Sequence, residues 1–76
     1  MTDGIVFERM ALIGIGNLGS SIARAVRERG LVGSIAVADF SDQALTRATE
    51  LELGDSFHES PADAVKDADV VVVCTP

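Results

Sequence analysis

Three short apolar runs alternate along the chain with segments of helical period, the pattern of strands and crossover helices packed in layers. The first run, Met10 to Ile15, is apolar on both faces, as in a parallel strand covered by helices on each side, and predicts the central strand of a sheet. From Leu18, small and apolar residues recur as Gly19, Ile22, Ala23 and Val26, the stripe of a helix lying on that sheet; Arg24, Arg27 and Glu28 fall outside it. Gly30 supplies a left-handed stop, and Arg24, Arg27 and Arg29 suit the negative pole of the helix dipole.

The second run, Ile35 to Ala38, ends at Asp39, and Ser41-Asp42 opens another helix by capping it and placing an acid in its first turn. Leu45, Ala48 and Leu51 form the predicted buried stripe, and Gly54 is expected to close the helix. Asp55 to Glu59 leaves room for a short strand around Phe57. Ser60-Pro61-Ala62-Asp63 combines an N-cap, a proline at the first helical position and an acid three residues after the cap, which marks the start of a brief helix. Ala68 to Cys74 carries four consecutive valines and reads as a fully buried strand. A doubly wound sheet would continue beside that strand. Residues 1–76 are therefore expected to be the truncated N-terminal half of a domain, with the valine strand as an edge prone to self-association.

Composition narrows the class. With 47% hydrophobic and 24% charged residues the chain is globular, and its 76 residues allow one small core. Twelve acidic against six basic residues give a net charge of −6, which disfavours nucleic acid and anionic membranes as partners because both need Lys and Arg to neutralise phosphate. No apolar run approaches the roughly 20 residues of a membrane span, and no basic segment leads into an apolar one at the N-terminus. The lone Cys74 has no partner for an internal disulfide, so the expected location is the cytoplasm.

Gly14-Ile15-Gly16-Asn17-Leu18-Gly19 fits G-x-G-x-x-G, a weak match when it stands alone. Here it follows a buried strand, opens an amphipathic helix and precedes by 20 positions (39 − 19) the acid Asp39 at the end of the next strand, which is the context of a dinucleotide site. The pattern predicts a Rossmann-type parallel α/β sheet flanked by helices. In it Gly14 permits the tight turn, Gly16 lets backbone approach a pyrophosphate, and Gly19 allows close helix packing. The amides of Asn17 and Leu18 stand at the positive helix end, which favours an anion. Asp39 is expected to accept from the adenosine ribose hydroxyls, with Phe40 beside it in the cofactor-binding set. Against the 2′-phosphate of NADP its charge would cost about 1 to 4 kcal/mol at 4 Å, so NAD is the expected cofactor and NADP the weaker ligand. Asp39 could instead be a solvated strand-end acid or part of the next helix cap.

Other polar residues carry structural readings. His58, beside Glu59 on an expected surface loop, has no second ligand at metal spacing. Cys74 reads as a small core residue, and Asp55, Glu59, Asp63, Asp67 and Asp69 read as a solvated face. None of these is assigned a catalytic or metal-binding role.

Phe7-Glu8-Arg9, Leu12-Ile13-Gly14-Ile15-Gly16, Gly19-Ser20-Ser21-Ile22-Ala23-Arg24 and the closing Ala68-Asp69-Val70-Val71-Val72 to Thr75-Pro76 together resemble prephenate and arogenate dehydrogenases over nearly the whole chain. Those enzymes oxidise a cyclohexadienol with a nicotinamide cofactor as hydride acceptor, releasing carbon dioxide on the way to tyrosine. The resemblance implies a cofactor half-site: Gly14, Gly16, Asn17, Leu18 and Gly19 around the pyrophosphate, Asp39 at the ribose, and Thr75 and Pro76 on the nicotinamide side. It also implies a longer, homodimeric enzyme whose catalytic histidine and substrate-binding arginine lie downstream. The Gly-Asn-x-Gly element is closer to pyrroline-5-carboxylate reductases, which keeps that class open as an alternative. Fold and fingerprint without catalysis would fit a nucleotide-sensing module.

Overall fold

The computed structural model describes residues 6–75. In order along the chain lie β1 (Phe7–Ile13), α1 (Asn17–Arg29), β2 (Val32–Ala38), α2 (Asp42–Glu50), β3 (Ser56–His58), α3 (Pro61–Ala64) and β4 (Val70–Val73). The strands form one four-stranded sheet in the order β3-β2-β1-β4, every neighbouring pair parallel. This is the expected Rossmann-type architecture, with β1 inside the sheet. The chain leaves β1 toward β2 and β3 and returns to its other side with β4, so the loops after β1 and β4 flank the switch point where open α/β sheets place ligands.

Residues alternate between the two faces of a strand, and the faces have different cores. Met10 and Leu12 of β1 and Ile35 and Val37 of β2 pack with Ile15, with Ala23 of α1, with Ala48 of α2 and with Leu53. Leu12, Ile35 and Val37 are fully buried, each worth roughly 1.5–3 kcal/mol. On the other face Ala11, Ile13, Ala36 and Ala38 meet Ala64 of α3 and, at the margin, Ala68. Small residues let the single turn of α3 lie close to the sheet.

Both long strands begin three residues before the apolar runs do, because the backbone of the leading residues already lies in register across the sheet, Phe7 beside Val32 and Arg9 beside Ser34. β1 stops at Ile13, leaving Gly14 and Ile15 outside the strand. Gly30 ends α1 in the left-handed conformation as expected, its N–H and that of Leu31 donating to Arg27 and Val26.

Several expectations are corrected. α2 is closed by Glu52, not Gly54. Glu52 adopts φ 53, its N–H donates to Thr49, and the N–H of Leu53 donates to Ala48, a Schellman ending that turns Leu53 into the core. Leu51 is accordingly exposed, and Leu53 takes its place in the buried set. Ser60 precedes α3 without a side-chain capping bond, and Pro61 at the first position carries the start. The valine strand is not fully buried: Val70 and Val72 pack inward, whereas Val71 and Val73 are 46% and 64% exposed on the face that α3 leaves bare. It is, as expected, an edge of the sheet. Among the described residues no helix is long and apolar enough to cross a membrane.

Candidate nucleotide site

The turn from β1 into α1 stands at the C-terminal edge of the sheet and is held by its neighbours on both sides. The Gly14 amide donates to Ala38 of β2 at 2.8 Å, and the Cys74 amide, just past β4, donates to Ile13 at 2.7 Å. Gly14 has φ 87, and a Cβ there would stand 2.8 Å from Cγ2 of Thr75, so glycine is required both by backbone sign and by the packing of the turn on the end of β4. At Gly19 a Cβ would drive into the Gly14 carbonyl oxygen. Gly19 therefore sets the approach of α1 to the turn itself rather than to the sheet below. At Gly16, φ 21, a Cβ would meet nothing within 4 Å, and that side of the turn is open to a ligand.

The two long helices start differently. α2 is closed at its N-terminus: the Ser41 hydroxyl accepts from the Ala44 amide at 3.2 Å and Asp42 places a negative charge in the first turn. α1 begins after Gly16, which has no side chain to cap it, and carries no acid in its first turn. Its leading amides, with Asn17 and Leu18 exposed beside them, keep their positive potential for an incoming anion. Ser20 donates its hydroxyl proton to the Gly16 carbonyl at 2.6 Å, anchoring this start. A cleft of about 180 Å³ runs beneath it, lined by Gly16, Asn17, Ser20 and Arg47 among others. Neither Ser20 nor Arg47 stands out in sequence, because nothing in the spacing of α2 tells which neighbour Arg47 meets.

Asp39 lies one residue past β2, next to the turn. Oδ2 accepts from the Ile15 amide at 3.0 Å and Oδ1 from the Ser41 amide at 2.9 Å. It is thus not a freely solvated acid, since two of its roughly four acceptor positions are already used by backbone. Phe40 follows, 78% exposed, at the same edge. Thr75 is exposed and abuts Gly14; Pro76 lies outside the described residues.

Residues read as bystanders are corrected in part. His58 belongs to β3, is half-buried, and its Nε2 pairs with the Ser56 hydroxyl at 3.0 Å. Asp55 and Asp69 are not merely a solvated face: each carboxylate accepts a strand amide, from Ile35 at 2.8 Å and Arg9 at 3.0 Å, and Asp55 also pairs with Arg27 at 3.1 Å. Glu59 is exposed, and its carboxyl is pushed above the usual range first by a hydrogen bond with Asp42 and then by repulsion from that acid. Among the described residues no three His, Cys, Asp or Glu side chains gather as a metal site would require.

The chain is similar to known proteins. The chain is 39% identical over 71 residues to a cyclohexadienyl dehydrogenase of Zymomonas mobilis, covering 93% of this chain and 24% of that one. It is 36% identical over 74 residues to an L-lactate dehydrogenase of Staphylococcus haemolyticus, covering 87% of this chain and 23% of the relative. A crystal structure of prephenate dehydrogenase from A. aeolicus, in complex with hydroxyphenyl propionate and NAD+, superposes with a TM-score of 0.83 at 26% identity over 91% of this chain and 24% of that one. The chain thus spans about a quarter of the length of the relatives it matches, and the resemblance to prephenate dehydrogenases falls on their nucleotide-binding part. Strand, glycine turn, helix and strand-end acid recur in order within residues 9–76, the span matched by the family described as NADP oxidoreductase, coenzyme F420-dependent, and the chain belongs to that family.

Proposed function

We propose that residues 1–76 are the N-terminal part of an NAD-binding domain in a dehydrogenase of the prephenate or arogenate type. The supporting observation is the contact between the glycine turn and the strand-end acid, the Ile15 amide on Asp39 Oδ2 at 3.0 Å, which sets a diphosphate cradle and a ribose acceptor side by side. In this reading the amides of Gly16, Asn17, Leu18 and Gly19 receive the diphosphate, and Gly14 shapes the turn that presents them. The remaining acceptor positions of Asp39 take the ribose hydroxyls, and Phe40 offers its exposed ring to the adenine side. Thr75 borders the nicotinamide side. NAD, once bound, supplies a hydride acceptor; the chain's own residues bind and orient it.

The family's description names NADP, but Asp39 argues for NAD in this member. A 2′-phosphate beside the carboxylate would be disfavoured by about 1 to 4 kcal/mol, a preference for NAD of about tenfold or more. For the whole protein we propose oxidative decarboxylation of prephenate or arogenate with hydride transfer to NAD, as a cytoplasmic homodimer. The dehydrogenase relatives favour this over a pyrroline-5-carboxylate reductase or a nucleotide sensor.

Calorimetric titration of NAD and NADP into the protein and its Asp39→Ser variant tests the site. NAD is expected to bind about tenfold or more tightly than NADP to the parent, and the ratio is expected to flatten in the variant. Equal affinities for the two dinucleotides in both proteins overturn the assignment.

A further inference from the structure

We infer that Asp39 is also a positioning residue for the glycine turn: one carboxylate holds the Ile15 and Ser41 amides together and sets the turn before any nucleotide arrives. Its consequence for binding rests on the nucleotide reading above, but the geometry stands apart from it. Ile15 sits between two glycines with positive φ, 87 at Gly14 and 21 at Gly16, where no regular ladder continues. Three things hold this segment: the Gly14 amide on Ala38, the Ile15 side chain in the core at 3% exposure, and the Ile15 amide on Asp39. The third is the charge-assisted one, in a partly buried position where a lost acceptor leaves the amide poorly solvated. The other carboxylate oxygen takes the Ser41 amide, whose residue caps α2, so the turn and the start of α2 share a single anchor.

An asparagine in this place has one oxygen where the aspartate has two, and presents an amide donor toward one of the two N–H groups. Substitutions chosen to admit a 2′-phosphate would therefore loosen the cradle for the diphosphate as well. The NAD-to-NADP ratio would flatten while the affinity for both dinucleotides falls.

The test compares the protein with Asp39→Asn in two ways. Amide hydrogen exchange, read residue by residue by NMR, is expected to accelerate about tenfold or more at Ile15 while the Leu12 amide in β1 keeps its protection. Unchanged exchange at Ile15 overturns the inference, and equal acceleration at Leu12 means that the whole fold has loosened, which overturns it too. In the second arm, an NAD analogue lacking both adenosine ribose hydroxyls is titrated alongside NAD. A positioning role predicts that the variant loses about tenfold in affinity even for the analogue, which Asp39 cannot read directly. Loss confined to NAD itself leaves Asp39 a ribose acceptor alone and overturns the inference. If the parent protein binds neither ligand, the nucleotide reading fails and exchange at Ile15 still decides the positioning role.

Discussion

At the N-terminal end of the sheet, Asp55 and Asp69 each stand one residue before a strand; at the C-terminal end, Asp39 stands one residue after one. Asp55 and Asp69 make the same closed pair. Their own amides donate to the carbonyls of Ile35 and Arg9, and their carboxylates accept the amides of those same residues. Each acid thus extends a parallel ladder by one step and leaves little unsatisfied. Asp39 donates its amide to His58 on one strand but turns its carboxylate to the other side, onto a glycine turn whose neighbouring helix start is uncapped. One residue type serves closure at one end and an open, anion-ready edge at the other. Function follows from which backbone groups an acid leaves unpaired, more than from the acid itself.

The sharpest way to break this comparison is Gly16→Val. A Cβ added there meets no protein atom within 4 Å, so the helix should persist and stability should fall by about the strain of a side chain at positive φ, on the order of 1–3 kcal/mol. NAD affinity should fall about a hundredfold or more, because the branched side chain fills the space left for the diphosphate. Calorimetry together with circular dichroism checks both halves, and retained affinity would show that the open side of the turn is not the ligand's side.

Asp69→Ala acts at the opposite end. Removing the carboxylate leaves the Arg9 amide to partly accessible surroundings, a loss of about 1 kcal/mol in denaturant unfolding, with NAD affinity unchanged. A drop in affinity comparable to that of an Asp39 variant would mean that the two ends do not divide closure from binding.

The smallest effect concerns Glu59, just past β3 at the C-terminal edge of the sheet and exposed. Its carboxyl is raised above the ordinary 4.5 by Asp42, so the folded state favours the protonated form. The associated stabilisation is complete below 4.5 and is lost as pH rises through the raised value. Melting temperatures of the protein and Glu59→Gln, compared across that window, should show the parent gaining on the variant as pH falls. A difference that stays flat with pH would remove the Asp42 contact as its cause.

Much of the fold is legible along the chain. The alternation of runs, the left-handed glycine after α1 and the Ser41 cap rest on local backbone preference and hydrophobic period, which need no knowledge of distant neighbours. The end of α2 is less so. A glycine two positions on looks the better stop, yet Leu53 gains a place in the core only if Glu52 takes the left-handed conformation, and burial outweighs a local preference of about 1 kcal/mol. Val71 and Val73 show another limit, since hydrophobicity marks a strand as buried without saying which element covers each of its faces, and within the described residues α3 does not cover these two.

By itself the sequence determined the order of elements, the parallel class of the sheet and the coincidence of a glycine turn with a strand-end acid, because each follows from short-range periodicity and from residues with restricted backbone choices. Only the tertiary structure decided what each aspartate does. Asp39, Asp55 and Asp69 are chemically identical, and each carboxylate takes its role from an amide 24, 20 or 60 positions away that only folding brings within hydrogen-bond reach.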